Sequence, residues 1–217
     1  MKELNARKWK RLFEIAQEYY QENGLSHRWD HVIRVERLAE RIALEEGANL
    51  EVVKVAALLH DIGRKKETET KGKVCHAEYG AKLAERILKK EGFSEEFASR
   101  VIKAIKRHRF RGKTPPETLE EKVVFDADKI DSLGAVGIAR AFLFAGEIGA
   151  RLHNSEVLLE ETKPYTIEDT AWREYKLKLS KIKDRLLTRT GKKIAKKRTK
   201  FMQRFFEELN AEVEGIR

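Results

Sequence analysis

This chain of 217 residues is poor in the residues that interrupt or cross-link a fold. One cysteine, Cys75, excludes an internal disulfide framework and fits a reducing compartment. Three prolines, at 115, 116 and 164, leave long stretches free to form helices. No charged n-region and apolar h-region open the sequence, so no secretory signal is expected and a cytoplasmic location is. The most apolar window, Leu133 to Ala150, is broken by Arg140 and Glu147 and holds four glycines, as a close-packed core segment does and a membrane span does not. No repeat, low-complexity tract or period-two strand pattern is present. What is abundant is charge: 38% of residues are Asp, Glu, Lys or Arg against 41% hydrophobic, a globular composition. The net charge of +10 points to phosphates or nucleic acid as partners.

The order of apolar faces predicts an all-α chain. Trp9, Leu12, Phe13, Ala16, Tyr19 and Tyr20 make one side of a first helix, ended by Asn23-Gly24. After the turn Ser26 to Asp30, residues Val32, Val35, Leu38, Ala39 and Ile42 line a second, with His31 in its first turn. The third runs from Leu50 through the apolar stretch that ends in His60-Asp61, with Gly63 as candidate C-terminal cap. A polar loop, Lys65 to Lys73, leads to a fourth helix opened by His76. Ser94 starts a fifth that reaches His108. Beyond Thr114-Pro115-Pro116 a long sixth helix is expected over about Leu119 to Phe144. Residues 146 to 167 form an irregular connection, and two helices hinged near Thr190-Gly191 close the chain. One domain is expected, with a core at about 26–145 and C-terminal helices at about 168–214.

The adjacent His60 and Asp61 end an apolar helix, where an unpartnered charge costs several kcal/mol. On the dipeptide alone, a capping aspartate beside a satisfied core histidine explains them as well as a metal site does. His31 and Asp128 come from two further helices with inward-looking faces. Two imidazoles and two carboxylates suit a borderline divalent cation. Asp126 lies about 200° around the helix from Asp128, so both cannot face one cation, whereas Asp131 at i+3 is placed to support it from behind. His76 and His108 each remain an extra metal ligand, a proton donor or a helix-terminal histidine. His27, on the turn, is a bystander or orients a ligand; His153 lies in the long connection.

The set His31, His60-Asp61, Asp128 resembles the H…HD…D pattern of HD-domain phosphohydrolases. His27 to Val35 resembles that family's first motif and Asp126 to Arg140 its last. The stretch from Tyr175 to Met202 is similar to one branch, bacterial HD-domain nucleotide pyrophosphohydrolases, and the likeness covers roughly residues 26–212. The resemblance implies a helical HD bundle with metal ligands His31, His60, Asp61 and Asp128. It implies conversion of a (deoxy)nucleoside triphosphate to the monophosphate and pyrophosphate through a metal-activated hydroxide, with Mn the expected metal and Fe, Co, Ni, Zn or Mg as alternatives. It also implies that Arg28 and Lys129 contact substrate phosphate; by their charge, Lys65 or Lys66 just past the His60-Asp61 helix would add positive field. His76 and His108 are both present, as in two-metal HD proteins, so a two-metal phosphodiesterase or nucleotidase is the alternative enzyme. From another class, the 12 Lys or Arg between 176 and 200, against the single acid Asp184, fit nucleic-acid binding. Ile182, Leu186, Ile194 and Phe201 give those helices an inside to pack and no aromatics interleave the basic run, so a solvated face is the expectation.

Overall fold

The computed structural model describes residues 3–21, 29–109 and 114–217, in which every regular element is helical. The chain divides into two compact units, Met1–Asp128 and Lys129–Arg217. The first holds α1 (Ala6–Tyr20), α2 (Trp29–Glu46), α3 (Leu50–Leu59), α4 (Arg64–Glu69), α5 (His76–Lys90), α6 (Glu95–Arg107) and most of α7 (Leu119–Asp131). The second holds α8 (Gly134–Glu147), α9 (Ala171–Leu177), a 3-10 stretch Leu179–Arg185 and α10 (Arg189–Val213).

Local chemistry sets the helix starts. Asn5, Asn49 and Ser94 accept the backbone N–H groups of Lys8, Val52 and Phe97, and Thr170 and Thr188 do the same for Arg173 and Gly191. In the first unit α3 is the central rod, buried from Val52 to Leu59 except for Lys54, with α2 and α6 packed on it. A helix that buries almost its whole circumference must be apolar almost all round, which its sequence is. In the second unit the core is aromatic: Phe206 of α10 stacks on Tyr175 with ring centroids 4.4 Å apart and meets Trp172 and Phe142 at 5.9 and 6.4 Å.

Five sequence expectations change. The third helix stops at Leu59, so His60 is its C-cap and Asp61 lies in the following turn. Gly63 is not a left-handed cap; its φ is −88° and it precedes α4, a helix formed where a polar loop was expected. Glycine is required there by approach: a Cβ would lie 2.3 Å from the His76 carbonyl oxygen and 2.7 Å from the Gly80 nitrogen. The long sixth helix is two, parted at Ser132-Leu133 by Gly134, whose φ of +74° is strained for any side chain. The closing break falls at Leu186-Leu187, because Thr188 caps α10 and Thr190-Gly191 lie in its first turn. Asn23-Gly24 and the turn from Ser26 to Arg28 lie outside the described residues.

Candidate metal centre

The end of α3, the starts of α2 and α5, the end of α6 and the last turns of α7 converge in the first unit. His31, His60, Asp61, His76 and His108 are all buried and Asp128 is 13% exposed. Asp61 stands in the middle. Its Oδ2 lies 3.9 Å from His31 Nε2 and 3.7 Å from His60 Nε2; its Oδ1 lies 3.4 Å from His76 Nε2 and 3.5 Å from His108 Nε2. Asp128 Oδ1 closes the first side, 3.6 Å from His31 Nε2 and 4.0 Å from His60 Nε2. Among the described residues, three overlapping groups could each hold a cation: His31–His60–Asp61, His60–His108–Asp128 and Asp61–His76–His108.

The outer nitrogens of three rings are tied back. His60 Nδ1 lies 2.7 Å from the Ala57 carbonyl and His108 Nδ1 2.5 Å from that of Ile105. A carbonyl oxygen can only accept, so each Nδ1 carries the hydrogen and each Nε2 presents a lone pair to the cavity. His76 Nδ1 meets the Glu67 carboxylate at 2.8 Å to the same effect. Two lone pairs, on His76 Nε2 and His108 Nε2, then face each other across 3.2 Å. Neutral rings so arranged repel unless a proton or cation lies between them. His60 Nε2 is buried with no hydrogen-bond partner among the described residues. Buried donor atoms left in this state fit a bound divalent cation.

Protonation states agree with that fit. Burial pushes His60 down to about 4, against the pull of Asp61 and Asp128, and His76 down to about 2. Burial would raise Asp61, but the Arg64 guanidinium, His60, His108 and His76 outweigh it and hold the carboxyl well below its usual range. Neutral imidazoles around an ionised carboxylate are the forms that ligate metals.

Some contributors were not singled out from sequence. Arg64 grips Asp61 with Nη2 2.8 Å from Oδ1 and Nε 3.2 Å from Oδ2, and reaches Glu67 at 3.0 Å. Its i+3 spacing from Asp61 was the available signal. Glu67 was hidden because α4 reads as a loop. The Tyr20 hydroxyl donates to the Leu58 carbonyl and accepts from the Asp61 amide, each at 3.1 Å, closing the frayed end of α3. Of the remaining expected residues, Lys65 is exposed on α4, and Lys129 follows Asp128 in α7 and is half-buried. Asp131 is buried and accepts from Arg140 Nη1 at 2.8 Å within the second unit. Arg28 and His27 lie outside the described residues.

Comparison with known proteins places this geometry. The family model described as HD domain matches residues 28–133. YpgQ of Bacillus subtilis is 36% identical over 194 residues, 88% of this chain and 86% of that protein. The crystal structure of YpgQ in complex with ADP superposes with a TM-score of 0.75 at 30% identity, covering 95% of each chain. An HD-superfamily hydrolase from Bacillus thuringiensis gives a TM-score of 0.75 at 26% identity over 96% of this chain and 97% of that one. Ribonuclease Y of Rubrobacter xylanophilus is 35% identical over 141 residues, 65% of this chain, which span only 22% of that enzyme. On the match to its domain and to relatives aligned from end to end, the chain belongs to the HD-domain superfamily of hydrolases.

Proposed function

We propose that this chain is a metal-dependent phosphohydrolase of nucleotides that cleaves a nucleoside or deoxynucleoside triphosphate to the monophosphate and pyrophosphate. The observation that carries the phosphohydrolase reading is Asp61, whose two oxygens face two separate pairs of histidine Nε2 atoms. His31, His60, Asp61 and Asp128 would hold one divalent cation, and His76 and His108, beside Asp61, would protonate the leaving oxygen or hold a second cation. Such a cation supplies Lewis acidity and makes water acidic enough to attack phosphorus near neutral pH. Nitrogen and carboxylate donors in this mixture suit Mn, Fe, Co, Ni or Zn better than Mg.

The chain's own groups do the rest. Arg64 keeps Asp61 ionised and aimed, with both carboxylate oxygens engaged. Glu67 and the carbonyls of Ala57 and Ile105 hold three rings by Nδ1. Arg28 and Lys129 would bind substrate phosphate by analogy with the family's motifs, and Lys65 would add to the field. Phosphoryl transfer asks mainly for such positioning and charge neutralisation. Attack of water on the α-phosphorus breaks its bond to the bridging oxygen, and pyrophosphate leaves with those electrons.

The nucleotide reading is supported by the ADP bound to YpgQ and the pyrophosphate reading by the likeness of residues 175–202 to that branch. The His76–His108 apposition favours a second reading, a two-metal phosphodiesterase or nucleotidase. A screen of nucleotides with Mn²⁺, with products identified by ion chromatography, separates them. Pyrophosphate with a monophosphate supports the first reading. Orthophosphate alone, or turnover only of phosphodiesters, replaces it with the second.

A further inference from the structure

Charge is spread unevenly along this chain. Residues 176–204 hold 13 Lys or Arg and one acid, a net of +12, while the whole chain carries +10; everything outside that stretch therefore sums to −2. The surplus is a local feature of the second unit.

α10 arranges it. At 100° per residue, Arg189, Lys192, Lys193, Lys196, Lys197 and Lys200 fall within an arc of about 140° and span about 17 Å of helix. All six are exposed, and none is paired with an acid among the described residues. Gly191, Ala195, Thr199, Met202 and Phe206 occupy the opposite, buried face. An ordinary solvated helix face mixes its signs, as α2 does with Arg34–Asp30 and Arg41–Glu45 at i,i+4. On α10 the i,i+4 neighbours 189/193/197 and 192/196/200 are all basic, a pattern that weakens an isolated helix. A polyanion lying along the stripe would reverse that penalty.

We propose that this face of α10 binds the phosphate backbone of duplex nucleic acid without regard to sequence. The stripe has no apolar anchor of the kind a protein interface centres on. It is one charge repeated at every turn, which a uniformly charged polymer matches and a single small phosphate does not. Single strands are gripped largely by stacking bases on aromatic rings, and the stripe has none; the exposed Phe201 lies off its edge. A membrane-seated amphipathic helix would need its apolar face, and Met202 and Phe206 are committed to the unit's own core.

The test measures binding of the full chain to a duplex of about 20 base pairs, in DNA and RNA form and two unrelated sequences, as salt is raised. Six phosphate contacts at about 0.9 each give a slope of log K against log salt near −5, alike for both sequences. The variant Lys192→Gln, Lys193→Gln, Lys196→Gln, Lys197→Gln should bind about 10³- to 10⁴-fold more weakly at about 0.1 M salt and shift the slope to about −2. A control removing four charges from exposed positions of α5 (Lys82, Arg86, Lys89 and Lys90, each to Gln) should leave the slope within about one of wild type. The proposal is overturned if wild type fails to retain duplex at about 0.05 M salt, or if the control weakens binding as much as the α10 variant. It is equally overturned by tighter binding to the matching single strand, or to phosphatidylserine vesicles, than to the duplex.

Discussion

In residues 129–217 the buried acids Asp131 and Asp169 each meet an arginine. Asp131 meets Arg140 at 2.8 Å and Asp169 meets Arg173 at 2.7 Å, and the surplus of charge is turned outward along α10. In residues 1–128 the buried Asp61 also has its arginine, Arg64, yet four imidazole nitrogens crowd within 3.9 Å of its two oxygens. A pair that closes on itself holds a fold together. A cluster with more donor atoms than internal hydrogens has ligating capacity left over, and under the proposed function that excess is what would hold the metal.

The sharpest way to break this contrast is to delete one acid of each kind. Asp61→Ala should strip bound metal and reduce turnover by at least about 10³-fold, while helical content by circular dichroism survives. Asp169→Ala should keep wild-type metal by plasma mass spectrometry and instead lose about 3–5 kcal/mol of stability, the usual result of orphaning a buried partner. Full metal retention in Asp61→Ala would erase the distinction.

Phe206→Ala tests the other side. Emptying the aromatic core should cost about 3–5 kcal/mol, read from urea unfolding, with metal content per folded chain unchanged. A smaller effect belongs to Glu67→Ala. Freeing His76 Nδ1 should weaken a second metal about 10- to 100-fold and leave the first intact, seen as separation of two phases in a Mn²⁺ titration. A single unshifted phase would show that His76 does not ligate.

A graded effect, spread over several pH units, is expected in the pH dependence of the metal-free protein. His60 and His76 titrate lower when folded than the ordinary 6.5, so the unfolded chain takes up their protons first. Their contribution is complete above about pH 6.5 and falls with acid at about 1.4 kcal/mol per pH unit per ring, until about pH 4 for His60. Asp61, held low, contributes stability above about pH 3.8 that is lost only in stronger acid. His60→Gln should remove one ring's share of the slope between pH 6.5 and about 4, and an unchanged slope would place the titrating groups elsewhere.

Much of this was legible in the sequence where a signal was local. The faces of α1, α2, α5 and α6 and the inward faces bearing His31, His60 and Asp128 follow from helical periodicity, and the cap at Ser94 from its residue type before Glu95-Glu96. What escaped depended on contacts made elsewhere in the chain. Gly63 looks like a helix cap, but its reason is the backbone of α5 pressed against it. Gly134 sits in a run whose periodicity continues across it, and the break shows only once the Arg198 side chain packs 3.0 Å from where a Cβ would be. Glu67 is nine residues from His76, and no helical repeat links them before α4 is known. The basic stretch was visible as composition, but its confinement to one arc needed the start of α10 at Thr188.

The Tyr20 hydroxyl, clasped between Leu58 and Asp61, also makes an optical gauge. Burial first, and the nearby Asp61 charge second, push its ionisation well above the ordinary 10, so it stays protonated in alkali that would ionise a free phenol. Its absorbance should appear only when the turn carrying Asp61 comes apart. A spectrophotometric titration of the intact chain would therefore report, through a native chromophore, the moment at which the turn carrying Asp61 opens.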